Sequence, residues 1–163
     1  MIKVLVEILA EERGQRLRVS GDENLRVRGD RSLLRQAIIK VLHNAVKYSP
    51  IDGTVFISMG PLPPGRVIMK ISDNGPGVPL EHRSKIFDRF YRVDAGRARD
   101  TGGAGLGLAI ASWAVAAQGG QIRVEDSSEG ATFTLELQAA ETETNHQVPK
   151  RTETPVETRR LFG

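Results

Sequence analysis

Apolar side chains recur at helical spacing in the stretch from Ser32 to Tyr48. The pattern places one continuous apolar face along this stretch, formed by Leu34, Ala37, Ile38, Val41, Leu42, Ala45 and Val46. Asp30 is suited to cap the start of the helix, and Ser49-Pro50 ends it because a residue before proline avoids the helical region. We therefore predict a long amphipathic helix here.

Two further stretches predict helices. A mostly apolar run from about Gly105 to Ala117 ends at Gly119-Gly120, a typical helix stop. The first residues, Met1 to about Glu12, also have an apolar face and are followed by Gly14.

Short segments that alternate between apolar and polar residues predict the strands. These segments are Arg16–Ser20, Leu25–Arg28, Thr54–Met59, Arg66–Ser72, Gln121–Asp126 and Thr132–Gln138. Thr54–Met59 and Arg66–Ser72 are joined by a loop rich in proline and glycine, which predicts a hairpin, and the last two segments predict a second hairpin. Asp73 to Val93 predicts a loop with one helical turn near Glu81 to Phe87. The resulting fold class is α+β, with one sheet and helices packed on a single face.

The length of 163 residues fits one domain, which we place at residues 1–138. From Ala139 onward the chain is rich in Thr, Glu, Pro and Arg and has few residues to bury, so residues 139–163 are predicted to be a disordered tail. The absence of cysteine excludes disulfides and thiolate metal sites. No apolar run is long enough to span a bilayer, and no signal-peptide pattern opens the sequence.

The net charge is only +3, although the pI is near 9.5. Five basic residues are concentrated in one stretch, at Lys85, Arg89, Arg92, Arg97 and Arg99. A local basic cluster beside a glycine-rich segment favours a phosphorylated small molecule over nucleic acid, which we do not expect as a partner.

The glycine-rich segment is T-G-G-A-G-L-G-L-A-I, from Thr101 to Ile110. Glycines that open a helix provide converging N–H groups for an anion. The segment lacks the Lys-Ser/Thr of a P-loop, and its G-x-G-x-G spacing differs from the dinucleotide fingerprint. On its own, it leaves the ligand open.

Three other segments carry candidate chemistry, and each has a simpler explanation. A polar stripe on the long helix, formed by Gln36, Lys40, Asn44 and Lys47, is also typical of a solvated helix face. D-N-G-P-G-V, Asp73 to Val78, places a carboxylate after a strand but is also a common turn sequence. I-F-D-R-F-Y-R, Ile86 to Arg92, mixes aromatics with arginines, although its phenylalanines are equally suited to the core.

The order of these segments is more specific than any one of them. H-N-A-V-K-Y-S-P, D-N-G-P-G-V, I-F-D-R-F-Y-R-V-D and G-G-A-G-L-G-L-A-I resemble the N, G1, F and G2 boxes of sensor histidine kinases. The resemblance covers about Met1 to Gln138 and extends to the superfamily of gyrase and the heat-shock-90 chaperones. It implies a catalytic domain that binds ATP, with an α/β sandwich in which three helices cover a mixed sheet.

The resemblance also implies roles for individual residues. Asn44 would give its side-chain oxygen to the Mg²⁺ of the nucleotide, and Lys47 would face phosphate. Tyr48 would form a wall for adenine or ribose. Asp73 would accept a hydrogen bond from the adenine amino group and so select adenine over guanine.

The glycines and the arginine complete this implied site. Gly75 and Gly77 would shape the floor beneath the base, and Arg92 would reach the terminal phosphate. Backbone N–H groups of the second glycine-rich box would contact phosphates, at Gly103, Gly105, Leu106 and Gly107. Val93 to Gly102 resembles the ATP lid, a loop expected to be mobile without nucleotide.

Lys40 is the main departure from the family pattern, which usually has Asn or Glu one turn before the magnesium-binding Asn. Without a carboxylate to activate water, we expect poor ATP hydrolysis. We also hypothesise that the ammonium weakens magnesium binding or partly replaces the metal. Milder departures occur at His43, Ala104 and Gln118.

None of the three histidines, His43, His82 and His146, has the sequence context of a phosphorylated histidine in these kinases. The resemblance therefore implies that the acceptor histidine lies on a separate dimerisation domain, through which a response regulator would act. We expect a monomeric, cytoplasmic domain excised from a longer kinase, which itself could be anchored in a bacterial inner membrane. A serine kinase of the anti-sigma type and a non-catalytic nucleotide-binding module remain as alternatives.

Overall fold

The computed structural model describes residue 11 and residues 13–22, 24–93, 104–127 and 130–140. Two α-helices and five strands lie within these ranges: α1 Arg31–Tyr48, α2 Gly107–Ala117, β1 Arg16–Gly21, β2 Thr54–Leu62, β3 Arg66–Ser72, β4 Gln121–Ser127 and β5 Gly130–Gln138. The helix predicted for Met1 to Glu12 lies almost entirely outside the described residues. So does most of the predicted tail, so the domain boundary stays a prediction.

The strands form one mixed sheet in the order β1-β2-β3-β5-β4. β1 pairs with β2 in parallel, and all the other pairings are antiparallel. The hairpins β2-β3 and β4-β5 confirm the two that alternation and turn residues predict. β5 lies between β3 and β4 in the sheet. The start of β5 is therefore beside the end of β3, where Ser72 pairs with Thr132.

Helices α1 and α2 pack together against one face of the sheet. Their buried residues share one core with inward-facing strand residues, among them Val55, Ile71, Phe133 and Leu135. Phe133, Ile71 and Leu135 are almost completely buried. This arrangement confirms the predicted two-layer α+β fold. The third helix that the family resemblance implies lies outside the described residues.

Two element boundaries differ from the prediction for identifiable reasons. α2 begins at Gly107 rather than Gly105, because Gly105 has a left-handed backbone with φ of 68° and cannot belong to the helix. β2 continues to Leu62, beyond the predicted end at Met59. Pro61 is tolerated there because β1 ends opposite Met59, so β2 has a neighbour on only one side.

The strand predicted for Leu25 to Arg28 was wrong. In this segment Val27 alone forms an isolated bridge, with Ala139. The neighbouring hydrogen bonds, from Arg28 N to Gln138 O and from Ala140 N to Arg26 O, are both 2.9 Å long. This bridge lies just beyond the end of β5, because β3 and β4 already pair with the two sides of that strand.

The loop between β3 and α2 contains two short 3₁₀ turns, Leu80–His82 and Lys85–Phe87, where one helical turn was predicted. Ile86 is buried and Phe87 packs against the core. Phe90 behaves differently, because 70% of its surface is exposed. The alternative in which both phenylalanines enter the core therefore holds for Phe87 and fails for Phe90.

Candidate functional site

The C-terminal half of α1 carries three of the polar residues singled out by the sequence. Lys40, Asn44 and Lys47 are half-buried, whereas Gln36 at the start of the stripe is exposed. The helix is well terminated at both ends. Asp30 caps its start by accepting from Ser32 N and Leu33 N at 2.8 and 2.9 Å, as predicted.

The end of α1 is fixed by a residue that sequence reasoning missed. Gln15 is 5% exposed, and its Nε2 donates to the carbonyl oxygens of Val46, Ser49 and Pro50 at 3.0 to 3.1 Å. The last carbonyls of a helix lack hydrogen-bond donors within it, and this amide donates to one of them, Val46 O. It also donates to the two residues that follow the helix. The sequence shows only a glutamine beside Gly14, and the fold alone places it under α1. The position of Tyr48 is thereby defined.

Asp73 directly follows β3 and is 4% exposed. Its Oδ1 accepts from Gly75 N at 2.8 Å and from Ala131 N at 3.4 Å. Burial raises the pKa of the Asp73 carboxyl above its ordinary value, although these two backbone hydrogen bonds act in the opposite direction. Both bonds end on Oδ1, so Oδ2 is the oxygen available to a ligand.

Gly75 brings the Asp73 turn against the end of α1. A Cβ atom on Gly75 would lie 2.7 Å from the Tyr48 carbonyl oxygen and 2.8 Å from Asp73 Oδ1, so no side chain fits there. Gly77, two residues later, has φ of 76°. Tyr48 is 45% exposed, and Lys47 Nζ lies 5.3 Å from its ring centroid. The structure therefore brings Asp73, Gly75 and Tyr48 together.

Two further residues position this turn and were not found from the sequence. Asn74 Oδ1 accepts from Thr54 N at 2.9 Å, which ties the turn to the start of β2. Gly130 lies so close to Asp73 that a Cβ atom on it would overlap the Asp73 carbonyl oxygen. The contact joins residues 57 positions apart, so no local sequence pattern reports it.

The segment from Ile86 to Arg92 meets the glycine-rich loop. Phe90 N donates to Gly105 O at 3.0 Å. A Cβ atom on Gly105 would lie 2.8 Å from the Phe90 carbonyl carbon and 2.9 Å from Tyr91 O. The close approach and the positive φ together require glycine at this position.

Lys47 and Arg92 are electrostatic neighbours, although they are far apart in sequence. The pKa of Lys47 is lowered first by burial and then by the positive charge of Arg92. Both residues have further interactions within the protein. Two adjacent cations on a partly buried surface favour binding of an anion.

The start of α2 lies against the polar face of α1. The Lys40 Cδ atom is 3.9 Å from the position that a Cβ atom on Gly107 would take. The N-terminus of α2 adds partial positive charge and free N–H groups at this junction. Gly105, Leu106 and Gly107 are thus described, whereas Gly103 and most of the predicted lid lie outside the described residues.

The site therefore has two chemically different parts. One part is the buried carboxylate of Asp73, whose turn contacts the backbone of Tyr48 at Gly75. The other part consists of the cationic side chains of Lys40, Lys47 and Arg92, with the N-terminus of α2 next to Lys40. Over the part of the chain that the structure describes, no group of three or more His, Cys, Asp or Glu side chains could hold a metal ion. The amide oxygen of Asn44 suits a magnesium ion that takes its other ligands from phosphate and water.

Residues 29–141 match the family model described as histidine kinase-, DNA gyrase B- and HSP90-like ATPase. The chain belongs to this family. The sensor histidine kinase CusS of Escherichia coli (strain K12) is 39% identical over 135 residues, which are 82% of this chain and 27% of CusS. The ATPase domain thus corresponds to little more than a quarter of that relative.

Solved structures relate this ATPase domain to sensor histidine kinases as well. Full-length ShkA in complex with AMPPNP has a TM-score of 0.73 and 32% identity, covering 86% of this chain and 30% of ShkA. Histidine kinase ThkA in complex with the response regulator TrrA has a TM-score of 0.72 and 25% identity, covering 85% of this chain and 38% of ThkA. The chain is thus similar to the catalytic ATPase domain of sensor histidine kinases. No helix among the described residues has the length and apolar character needed to cross a membrane.

Proposed function

We propose that this chain binds ATP and transfers its γ-phosphate to a histidine on a separate dimerisation domain, as part of two-component signalling. The observation that carries the proposal is that the site combines a buried carboxylate, at Asp73, with two cations that neighbour each other, at Lys47 and Arg92. An adenine nucleotide has the complementary chemistry, with an amino group at one end and a charged triphosphate at the other.

The base would lie at Asp73. The free Oδ2 would accept a hydrogen bond from the adenine amino group, whereas the guanine carbonyl would repel it. Gly75 and Gly77 would leave room for the flat base, and Tyr48 would pack beside the base or ribose. The structure of ShkA with AMPPNP, an analogue of ATP, supports this choice of nucleotide.

The triphosphate would lie at the other part of the site. Lys47 and Arg92 would offset its charge, and N–H groups of Gly105, Leu106 and Gly107 would donate to phosphate oxygens. Gly103 would add another N–H group. Asn44 would give its side-chain oxygen to Mg²⁺, which when bound neutralises part of the phosphate charge.

Phosphoryl transfer requires mainly positioning and electrostatic stabilisation from the protein. Arg92 would stabilise the charge that spreads over the transferred group, and Asn44 and Lys47 would hold the phosphate chain in line with the acceptor. The nucleophile would be the imidazole of a histidine on the dimerisation domain. We do not expect the chain to phosphorylate itself.

The partners follow from this role. A response regulator would receive the phosphate from the dimerisation domain, and the complex of ThkA with TrrA supports such a partner. We propose that the domain acts in the cytoplasm, in a parent kinase anchored in the bacterial inner membrane, and that the isolated domain is monomeric.

A chimaera tests the proposed function. This chain would replace the matching ATPase domain of CusS, so that the histidine domain of CusS becomes the acceptor. We expect acid-labile label from [γ-³²P]ATP, and none when the acceptor histidine is changed to glutamine. Acid-stable label would indicate a serine kinase instead. Nucleotide binding without any transfer would favour the non-catalytic module, the alternative that Lys40 supports.

A further inference from the structure

Lys40 lies at the proposed phosphate end, at the position where the sequence departs from the family pattern. We propose that its ammonium contacts the nucleotide phosphates and takes over part of the charge neutralisation that a divalent cation would supply. This inference rests on the proposed function, because it takes the ligand to be ATP. It predicts that nucleotide affinity depends only weakly on Mg²⁺.

The packing of Lys40 places it at the proposed phosphate end. Lys40 precedes Asn44 by four residues, so the two side chains lie one helical turn apart on the same face of α1. Its aliphatic stem approaches the first residue of α2, with Cδ 3.9 Å from the Cβ position of Gly107. The side chain is half-buried. The stem is thereby directed along the junction where the glycine-rich loop enters the helix.

Two further cations belong to the proposed phosphate end. Lys47 and Arg92 already lie close enough for the arginine to lower the pKa of the lysine. Lys40 adds a third cation, seven residues before Lys47 on α1. A lysine ammonium is a compact charge on a flexible stem, well suited to phosphate.

The residues that would recruit a metal are scarce by comparison. Asn44 offers a neutral amide oxygen, and no cluster of acidic or histidine ligands occurs in the described ranges. The positive charge available to a triphosphate is therefore largely built into the side chains. An ammonium one turn from Asn44 would also repel a divalent cation, so the metal gains less from binding there.

Titration calorimetry with ATP, in excess Mg²⁺ and in EDTA, tests the inference. The quantity compared is the ratio of the dissociation constant in EDTA to that in Mg²⁺. We expect Lys40→Met to raise this ratio roughly tenfold, the factor that corresponds to about 1.4 kcal/mol. Lys40→Arg keeps the charge and should keep the ratio of the natural chain.

Lys70→Met is the matched control. Lys70 is exposed on β3 next to the buried Ile71, so its side chain leaves the sheet on the face opposite the helices. The substitution removes one positive charge from the opposite face of the sheet and should leave the ratio unchanged. Thermal unfolding of each variant checks the fold, and Lys40→Gln replaces Lys40→Met if the methionine variant is unfolded.

The outcomes separate the two proposals. If the natural chain binds ATP but the ratio is the same in Lys40→Met, the role of Lys40 is overturned and the proposed function stands. A ratio that changes equally in Lys70→Met would also overturn it, because general charge would then explain the effect. If folded chain binds ATP under neither condition, both proposals fail.

Discussion

The proposed base end and the proposed phosphate end of the site are built by different means. At the base end, backbone atoms approach one another so closely that Gly75 and Gly130 leave no space for a side chain. At the phosphate end, Lys40, Lys47 and Arg92 contribute charge at the tips of long side chains. The base end is shaped mainly by such contacts, whereas the phosphate end has one close contact, at Gly105, and depends mainly on charge.

This difference predicts how each end tolerates change. Contacts below van der Waals distance admit almost no relaxation, so a single added methyl group should disturb the base end. Charge acts over several ångströms and is carried by flexible stems, so the phosphate end should accept exchanges that keep the sign. The following predictions test this contrast, from the largest expected effect to the smallest.

Gly130→Ala should have the largest effect. The new Cβ would overlap the Asp73 carbonyl oxygen, and the backbone has φ of 154°, which alanine rarely adopts. We expect the free energy of unfolding to fall by about 2 to 5 kcal/mol, from strain and overpacking together. Urea denaturation measures the loss, and titration calorimetry should show weakened ATP binding.

Gly60→Ala is the control for this change. Gly60 lies in β2, and a Cβ atom there would meet nothing within 4 Å. It should cost little or no stability. Equal losses in the two variants would show that added side chains in the sheet, and not the contact with Asp73, cause the effect.

Arg92→Ala tests the phosphate end. Loss of a cation proposed to stabilise the transferred group should slow phosphoryl transfer roughly hundredfold, while ATP binding weakens much less. Arg92→Lys keeps the charge and should retain more of the rate. Single-turnover kinetics in the CusS chimaera measure both variants. A loss of binding as large as the loss of rate would remove Arg92 from the terminal phosphate.

Asp73→Asn should weaken ATP binding by about 1 to 3 kcal/mol, the usual result of spoiling a buried polar contact. The same change should stabilise the protein without nucleotide at neutral pH. Because burial raises the folded pKa of Asp73, this carboxyl favours the fold below its unfolded pKa, and that contribution is lost as pH rises through the folded pKa. The amide avoids burying the charge.

Calorimetry and chemical denaturation across pH check both halves of this prediction. Because the pKa of Asp73 is raised, the affinity of the natural chain for ATP should fall more steeply with decreasing pH than the affinity of Asp73→Asn, in which only ATP itself and other groups titrate. Unchanged ATP affinity in Asp73→Asn would argue against the adenine site.

Arg92→Met should produce the smallest effect, a rise in the pKa of Lys47 toward its ordinary value. Its cause is the removal of the positive charge of Arg92, which adds to burial in lowering that pKa. An NMR titration of the Lys47 side chain at low and high salt measures it. The rise should shrink as salt increases, and a rise independent of salt would exclude electrostatic repulsion as its cause.

The prediction from sequence succeeded where the pattern is local. The apolar spacing and Asp30 fixed α1, and alternation fixed both hairpins. It failed at Leu25 to Arg28, where a strand-like pattern forms only an isolated bridge, from Val27 to Ala139 beyond the end of β5. Pairing depends on which neighbours are already taken, and a four-residue pattern carries no information about that.

The sequence alone determined which residues are candidates for the site: a carboxylate after a strand, lysines and an asparagine on one helix face, and glycines before another helix. Only the tertiary structure decided how they meet. It placed Gly130 on Asp73, Arg92 beside Lys47, and Gly107 against Lys40. The physical reason is range: spacing along the chain specifies helices and turns, whereas contacts between distant segments arise from sheet order and core packing.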